Sequence, residues 1–244
     1  MTSVCGIMQP YFLPYLGYWQ LMSKVDTWVV FDDIQFIQKG WINRNKITNI
    51  EKNKEYTYLT IPLSGRHKKT LIKDIKIDDQ NDWRRVLNAR FGGLRKRAPY
   101  FYEATDFLNH VLDFKSKWLI DFLFHSIELT QSLFNLRNSL MLQSKDCCSI
   151  HSGLNLGAGE WALKLTQSVG AKHYINPVGG KNLFSCEKFK KNGISLSFLN
   201  AELPKDINGN VELGWDRSII EPIARYGIAR VQKEISKGIV ETES

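Results

Sequence analysis

Two adjacent carboxylates, Asp32 and Asp33, close a β-branched and aromatic run, TWVVF, that begins at Thr27. An acid pair at a strand end can hold a ribose or an amine, act as a general base, bind a metal, or merely cap the strand. Neighbours on an extended chain point to opposite sides, so one of the two is expected to face a site, with Gln35 on the side of Asp33. Shortly after comes Gly40-Trp41-Ile42-Asn43-Arg44-Asn45-Lys46. There Arg44 offers a planar fork for phosphate or carboxylate, Lys46 a point charge, and Trp41 a face on which a base or sugar could stack. The bland alternative is an amphipathic strand with a solvated face; the density of fixed-geometry donors favours binding.

The elements that must position these groups start at Val4. Val4–Met8 is a short apolar run followed by Gln9 and the loop QPYFLPY, in which Pro10 and Pro14 impose stiffness. A helix is expected from about Tyr15, with Gly17 in its first turn, where free N–H groups suit an anion. Gly17 could equally serve helix–sheet packing. Two apolar runs joined by a helix make a βαβ unit, and ligands of such sheets lie beyond the carboxyl ends of the strands. Gln9, Tyr11 and Tyr15 after the first strand, and Asp32, Asp33 and Gln35 after the second, are therefore expected to share one edge.

Further along, EYTYLTIPL (Glu55–Leu63) reads as a strand, SGRHKKT (Ser64–Thr70) as a basic loop able to close over an anion, and Leu71–Ile77 as a short strand. From Asp79 the pattern turns helical, capped by Asp79 or Asn81, with helices also over about Tyr100–Phe114 and Ser116–Leu136. His125 reads as a packed residue. Arg84, Arg85, Arg90, Arg95, Lys96 and Arg97 form the densest basic stretch. Leu140–Gln143 is expected to be a strand, followed by a polar connection with His151 and Ser152. A helix over Gly157–Val169 then leads to a strand at Tyr174-Ile175. The next run, Asn176-Pro177-Val178-Gly179-Gly180-Lys181, exposes backbone N–H groups but lacks a P-loop pattern. A short helix, a strand over Ile194–Leu199, helices over Arg217–Tyr226 and Ile228–Lys237, and a frayed end at Val240–Ser244 complete the chain. The expected fold is α/β, a mostly parallel Rossmann-like sheet flanked by helices, in one domain of 244 residues with a helical insertion at about 79–136.

The net charge of +8 favours an anionic partner such as a nucleotide, RNA or an acidic membrane surface. No apolar run approaches the roughly 18 residues that cross a bilayer. Nor does the start of the chain carry a basic and then apolar leader, so a cytoplasmic location is expected. The cysteines Cys5, Cys147, Cys148 and Cys186 fit no metal spacing and read as reduced thiols.

Taken together, IMQPYFLPYLGYW, VDTWVVFDDIQF, WINRNKI, TIPL, the Trp83 region, APYF, GAKHYINPVGG and SIIEPI resemble, in order, the WbqC-like family of bacterial surface-polysaccharide (O-antigen type) gene clusters. The pattern departs at His151, where arginine or serine is expected, and at Glu221, where aspartate is expected. The resemblance implies a context of nucleotide-linked amino sugars modified before polymer assembly.

The expected activity is a transferase that acylates or aminoacylates the amine of such a sugar. Asp33 or Asp32 would be the base, with His151 as runner-up. The nucleotide would lie near Tyr11–Gly17, Arg44 and Lys46, with Trp41 available to stack. Gln9, Gln35 and Asn43 would orient the sugar, and Ser152, Asn176 and Lys181 would add contacts. N–H groups at Gly179 and Gly180 would meet a developing oxyanion. No metal is expected. The donor stays open among aminoacyl-tRNA, acyl-coenzyme A and an amino acid plus nucleotide, as does homo-oligomer formation. A scaffold protein of the assembly machinery and an RNA-binding (tRNA) module are the alternatives.

Overall fold

The computed structural model describes residues 3–49, 55–65, 67, 69–154 and 156–243. Arg66 and Lys68 of the expected basic loop lie outside the described residues. Strand β1 (Val4–Met8) leads through the proline loop into helix α1 (Leu16–Met22), then β2 (Thr27–Val30). Two antiparallel hairpin strands follow, β3 (Arg44–Thr48) and β4 (Tyr56–Thr60), then the two-residue strands β5 (Leu63–Ser64) and β6 (Lys76–Ile77). Helices α2 (Trp83–Gly92), α3 (Phe101–Asp113) and α4 (Leu119–Leu133) come next. The remaining elements are β7 (Ser139–Leu142), α5 (Gln143–Asp146), α6 (Ala158–Ser168), β8 (His173–Pro177), α7 (Cys186–Lys191), β9 (Ser195–Asn200), α8 (Ile220–Tyr226), α9 (Ile228–Ile235) and β10 (Ile239–Thr242).

Six strands form the central sheet in the order β10-β9-β8-β1-β2-β7, all parallel except the β10–β9 pair. The order reverses between β1 and β8, the place where open α/β sheets hold ligands. The fold is thus α/β with a mostly parallel sheet flanked by helices. Both faces are covered, which is why β1 and Trp28–Val30 of β2 are apolar. On one face Trp19, Trp28 and Phe134 join the apolar stripes of α3, α4, α8 and α9 in a continuous core. On the other, Cys5, Ile7 and Val29 pack with Ala162, Leu165, Tyr174 and Phe189.

Four local expectations need correction. The C-terminal stretch is not frayed over Val240–Thr242: residues Ile239–Thr242 add an antiparallel edge strand to β9. Leu71–Ile77 forms a 3₁₀ turn over Ile72–Asp74 and only a two-residue strand. The cap of α2 is Asp82, whose side chain accepts the Arg85 N–H at 3.1 Å, whereas Asp79 binds Trp83 Nε1 and Arg84. Finally, α8 starts at Ile220 rather than Arg217.

Candidate functional site

The two acids leave β2 at the carboxyl edge and turn to different partners. Asp32 is fully buried; Oδ1 accepts the Ser144 N–H at 2.9 Å and Oδ2 the Ser144 hydroxyl at 2.5 Å. Burial raises its pKa, against the pull of the Ser144 donors. Asp32 thereby ties β2 to the first turn of α5. Asp33 is also buried, but Oδ1 meets the Lys73 ammonium at 2.9 Å and Oδ2 accepts the Ser152 N–H at 3.1 Å. Burial pushes this carboxyl upward; the Lys73 and Ser152 donors outweigh it and hold the group below its ordinary range. In return the carboxylate raises Lys73. The Asp33 N–H donates to Gln143 Oε1 at 3.0 Å, and the Gln143 amide continues to the Ile150 carbonyl at 2.6 Å. The result is an ionised carboxylate at neutral pH with a cation only a third exposed beside it.

The loop after β1 and strand β3 enclose a pocket of about 220 Å³ lined by Tyr11, Pro14, Tyr15, Trp41, Asn45, Lys46 and Asp216. Its walls are joined by hydrogen bonds. Phe12 N donates to the Trp41 carbonyl at 3.1 Å, and Asn45 Nδ2 donates to the Leu13 carbonyl at 2.8 Å. Burial raises the pKa of both Tyr11 and Tyr15, so their hydroxyls stay protonated donors. Lys46 Nζ stands 3.7 Å from Asp216, giving the rim one cation and one carboxylate. Trp41 is 41% exposed, an indole face open to whatever enters.

A model of the WbqC-like protein family matches residues 9–207, most of the chain and both walls of the site. The chain belongs to the WbqC-like protein family. An uncharacterized protein of Mycobacterium tuberculosis (strain ATCC 25618 / H37Rv), Rv1507c, is 30% identical over 106 residues. That stretch is 42% of the WbqC-like chain and 43% of the relative, so the match spans less than half the length of that relative. No solved structure matches.

The remaining named residues of this WbqC-like chain are distributed as follows. Gln9 leaves β1 beside the end of β2, where Phe31 N donates to the Met8 carbonyl at 2.8 Å. Its own carbonyl accepts from Tyr18 Oη at 3.4 Å. Gly17 is buried in α1, and a Cβ there would fall 2.6 Å from the Tyr15 ring and 2.8 Å from the Ala201 methyl. Packing therefore accounts for this glycine. Gln35 is exposed and bridges Leu71. Asn43 is buried on the Ile61 carbonyl at 2.8 Å. Arg44 donates to the Gly40 and Lys39 carbonyls and lies 4.4 Å over the Tyr58 ring. His151 is exposed, with Nδ1 accepting from Gly153 N at 3.1 Å.

At the β8 end Asn176 is buried, accepting from Tyr174 Oη at 2.8 Å. A Cβ on Gly180 would come 2.3 Å from its amide, while Gly179 borders open space. Lys181 is paired with Glu243. Sequence reasoning passed over Lys73, Gln143 and Ser144, which hold the acids, and Asn45 and Asp216, which line the pocket. Asn45 had a signal: on a strand it shares the inward face with Asn43. Among the described residues no cluster of three or more His, Cys, Asp or Glu side chains is placed to hold a metal ion, and no helix is long and apolar enough to cross a membrane.

Proposed function

We propose that this chain is a transferase that acylates or aminoacylates the amine of a nucleotide-linked amino sugar used in surface-polysaccharide assembly. The observation that carries the reading is a buried, ionised Asp33 at the same sheet edge as an aromatic-walled pocket with Lys46 on its rim. The sugar ring would lie against Trp41 and Tyr15, and the diphosphate would draw Lys46 away from Asp216. The amine attacks the donor carbonyl only when neutral. A carboxylate with a lowered pKa is too weak to deprotonate a free ammonium efficiently, so its work comes later. Asp33 holds the amine by a hydrogen bond and takes the proton that becomes acidic once the C–N bond forms. The donor's C–O or C–S bond then breaks, and the proton passes to the leaving group. Membership of a family associated with surface-polysaccharide clusters supports this substrate class.

The test is mass spectrometry of UDP-, dTDP- and GDP-linked amino sugars incubated with the protein and acyl-coenzyme A, aminoacyl-tRNA, or amino acid plus ATP. One combination should gain the acyl mass. Thermal melting should identify the same nucleotide sugar as a stabiliser. Asp33→Asn should abolish turnover and keep that stabilisation. Turnover that survives the substitution removes Asp33 from the mechanism, and no stabilisation by any nucleotide sugar removes the substrate class.

A further inference from the structure

A second surface, which reaches the pocket rim at Lys46, carries an excess of positive charge. Between Trp83 and Tyr102 the chain has six basic residues and no acidic one. Arg90, Arg95, Lys96 and Arg97 are exposed, and none has a carboxylate partner among the described residues. Arg84 and Arg85 are paired with Asp79 and Asp82, so these four are the cations left over on this stretch. Aromatic rings are interleaved with the cations. Arg95 lies 5.5 Å over the Tyr102 ring and donates to its hydroxyl at 2.6 Å, while Tyr102 is 62% exposed.

The hairpin continues the pattern. The register pairs Lys46 with Tyr58 and Thr48 with Tyr56, so Arg44, Lys46, Tyr56 and Tyr58 share one face. Arg44 lies over Tyr58, Lys46 stands 5.4 Å over Tyr56, and Arg90 Nη1 donates to the Tyr58 carbonyl at 2.9 Å. That last bond joins α2 to the hairpin, so cations and rings alternate from Arg90 to Lys46 at the pocket rim, and the Arg95–Tyr102 pair follows directly after α2 in the chain.

From this juxtaposition we infer that the face formed by α2, the segment Arg95–Tyr102 and the outer side of the β3–β4 hairpin binds single-stranded RNA. Guanidinium groups pair with phosphates bidentately and stack on bases, and half-exposed tyrosines give flat faces that tolerate any base. A lipid headgroup layer takes up tyrosines at its interface but needs no cation stacked on each ring. A rigid duplex hides its bases from the rings.

Fluorescence anisotropy with a labelled mixed-sequence 12-nucleotide RNA tests it, with a 12-base-pair RNA duplex and vesicles containing phosphatidylserine as competitors. Four neutralised phosphates imply an affinity falling about 50-fold between 50 and 200 mM salt. Single-stranded RNA should bind more tightly than the duplex, and the vesicles should not displace it. Tyr102→Ala should weaken binding about tenfold, as loss of one stacking platform does. The combined Arg90→Ala, Arg95→Ala and Arg97→Ala variant should abolish binding at 200 mM salt. Lys96→Glu, at an exposed position, gives a loss of binding should that triple variant not fold. The nucleotide-sugar melting shift should be unchanged in all of them, which separates this surface from the pocket. No binding at 50 mM salt overturns the inference. So does binding indifferent to these substitutions, or vesicle binding without RNA binding.

Discussion

Asp32 and Asp33 are covalent neighbours with opposite electrostatic fates. Asp32 meets neutral donors in a fully buried place, so the fold favours its protonated form. That share of stability is present below the unfolded carboxyl pKa of about 3.9 and is lost as pH rises through the raised folded value. Asp33 is the reverse. Its share is present above about 3.9 and is lost as pH falls through the lowered folded value. Lys73, raised by its partner, holds its share below about 10.4 and loses it as pH climbs past its own folded value.

Asp32→Asn should therefore keep neutral-pH stability or gain up to about 1 kcal/mol, because an amide still accepts from Ser144. Asp33→Asn should lose about 1–2 kcal/mol, less than a fully buried pair because Lys73 is a third exposed. Chemical denaturation at pH 7 and pH 3.5 checks both; the two differences should shrink together at the lower pH. A loss for Asp32→Asn as large as that for Asp33→Asn would mean the two acids are held alike. That the acids would diverge was legible from strand alternation. Lys73 and Ser144 were not, because they arrive from distant segments that no local pattern connects to β2.

Among the elements, the opening β1–α1–β2 unit could be read from the chain because two apolar runs and a proline loop leave few alternatives. Edge strand β10 could not: IVET carries one short apolar pair, and its β character comes from the free edge of β9. The same holds for Leu71–Ile77, where alternation suggested one strand but a 3₁₀ turn over Ile72–Asp74 buries Ile72 and only Lys76–Ile77 pairs as a strand. Helix α1 shows how an ambiguous glycine is decided by its neighbours. Gly17→Val places its branched Cβ against both the Tyr15 ring and the Ala201 methyl. Overpacking of this kind costs about 1–3 kcal/mol. Because Tyr15 lines the pocket, the nucleotide-sugar melting shift should fall with the melting temperature. A variant as stable as the native chain would show that the helix start has room.

Across the whole molecule, one short C-terminal segment contacts both walls of the pocket. Ser218 N donates to the Lys46 carbonyl at 2.9 Å and its hydroxyl to the Leu13 carbonyl at 2.8 Å. Ile219 N reaches the carbonyls of Leu13 and Pro14. Glu221, fully buried, accepts the Thr48 N–H at 2.7 Å and the Arg225 Nε–H at 2.7 Å. Glu221→Ala leaves Arg225 and a strand N–H without their partner, at a cost of about 3–5 kcal/mol. Urea denaturation should register that loss, and a decrease under 1 kcal/mol would mean water replaces the carboxylate. None of this was visible in SIIEPI itself, whose apolar pattern announced only a buried helix.

The family match ends at residue 207, well before Ser218. Trimming the polypeptide there would remove the common brace that keeps the proline loop and the first hairpin strand apart at a fixed width. Such a shortened chain could retain every aromatic lining residue and still have no cup for them to line.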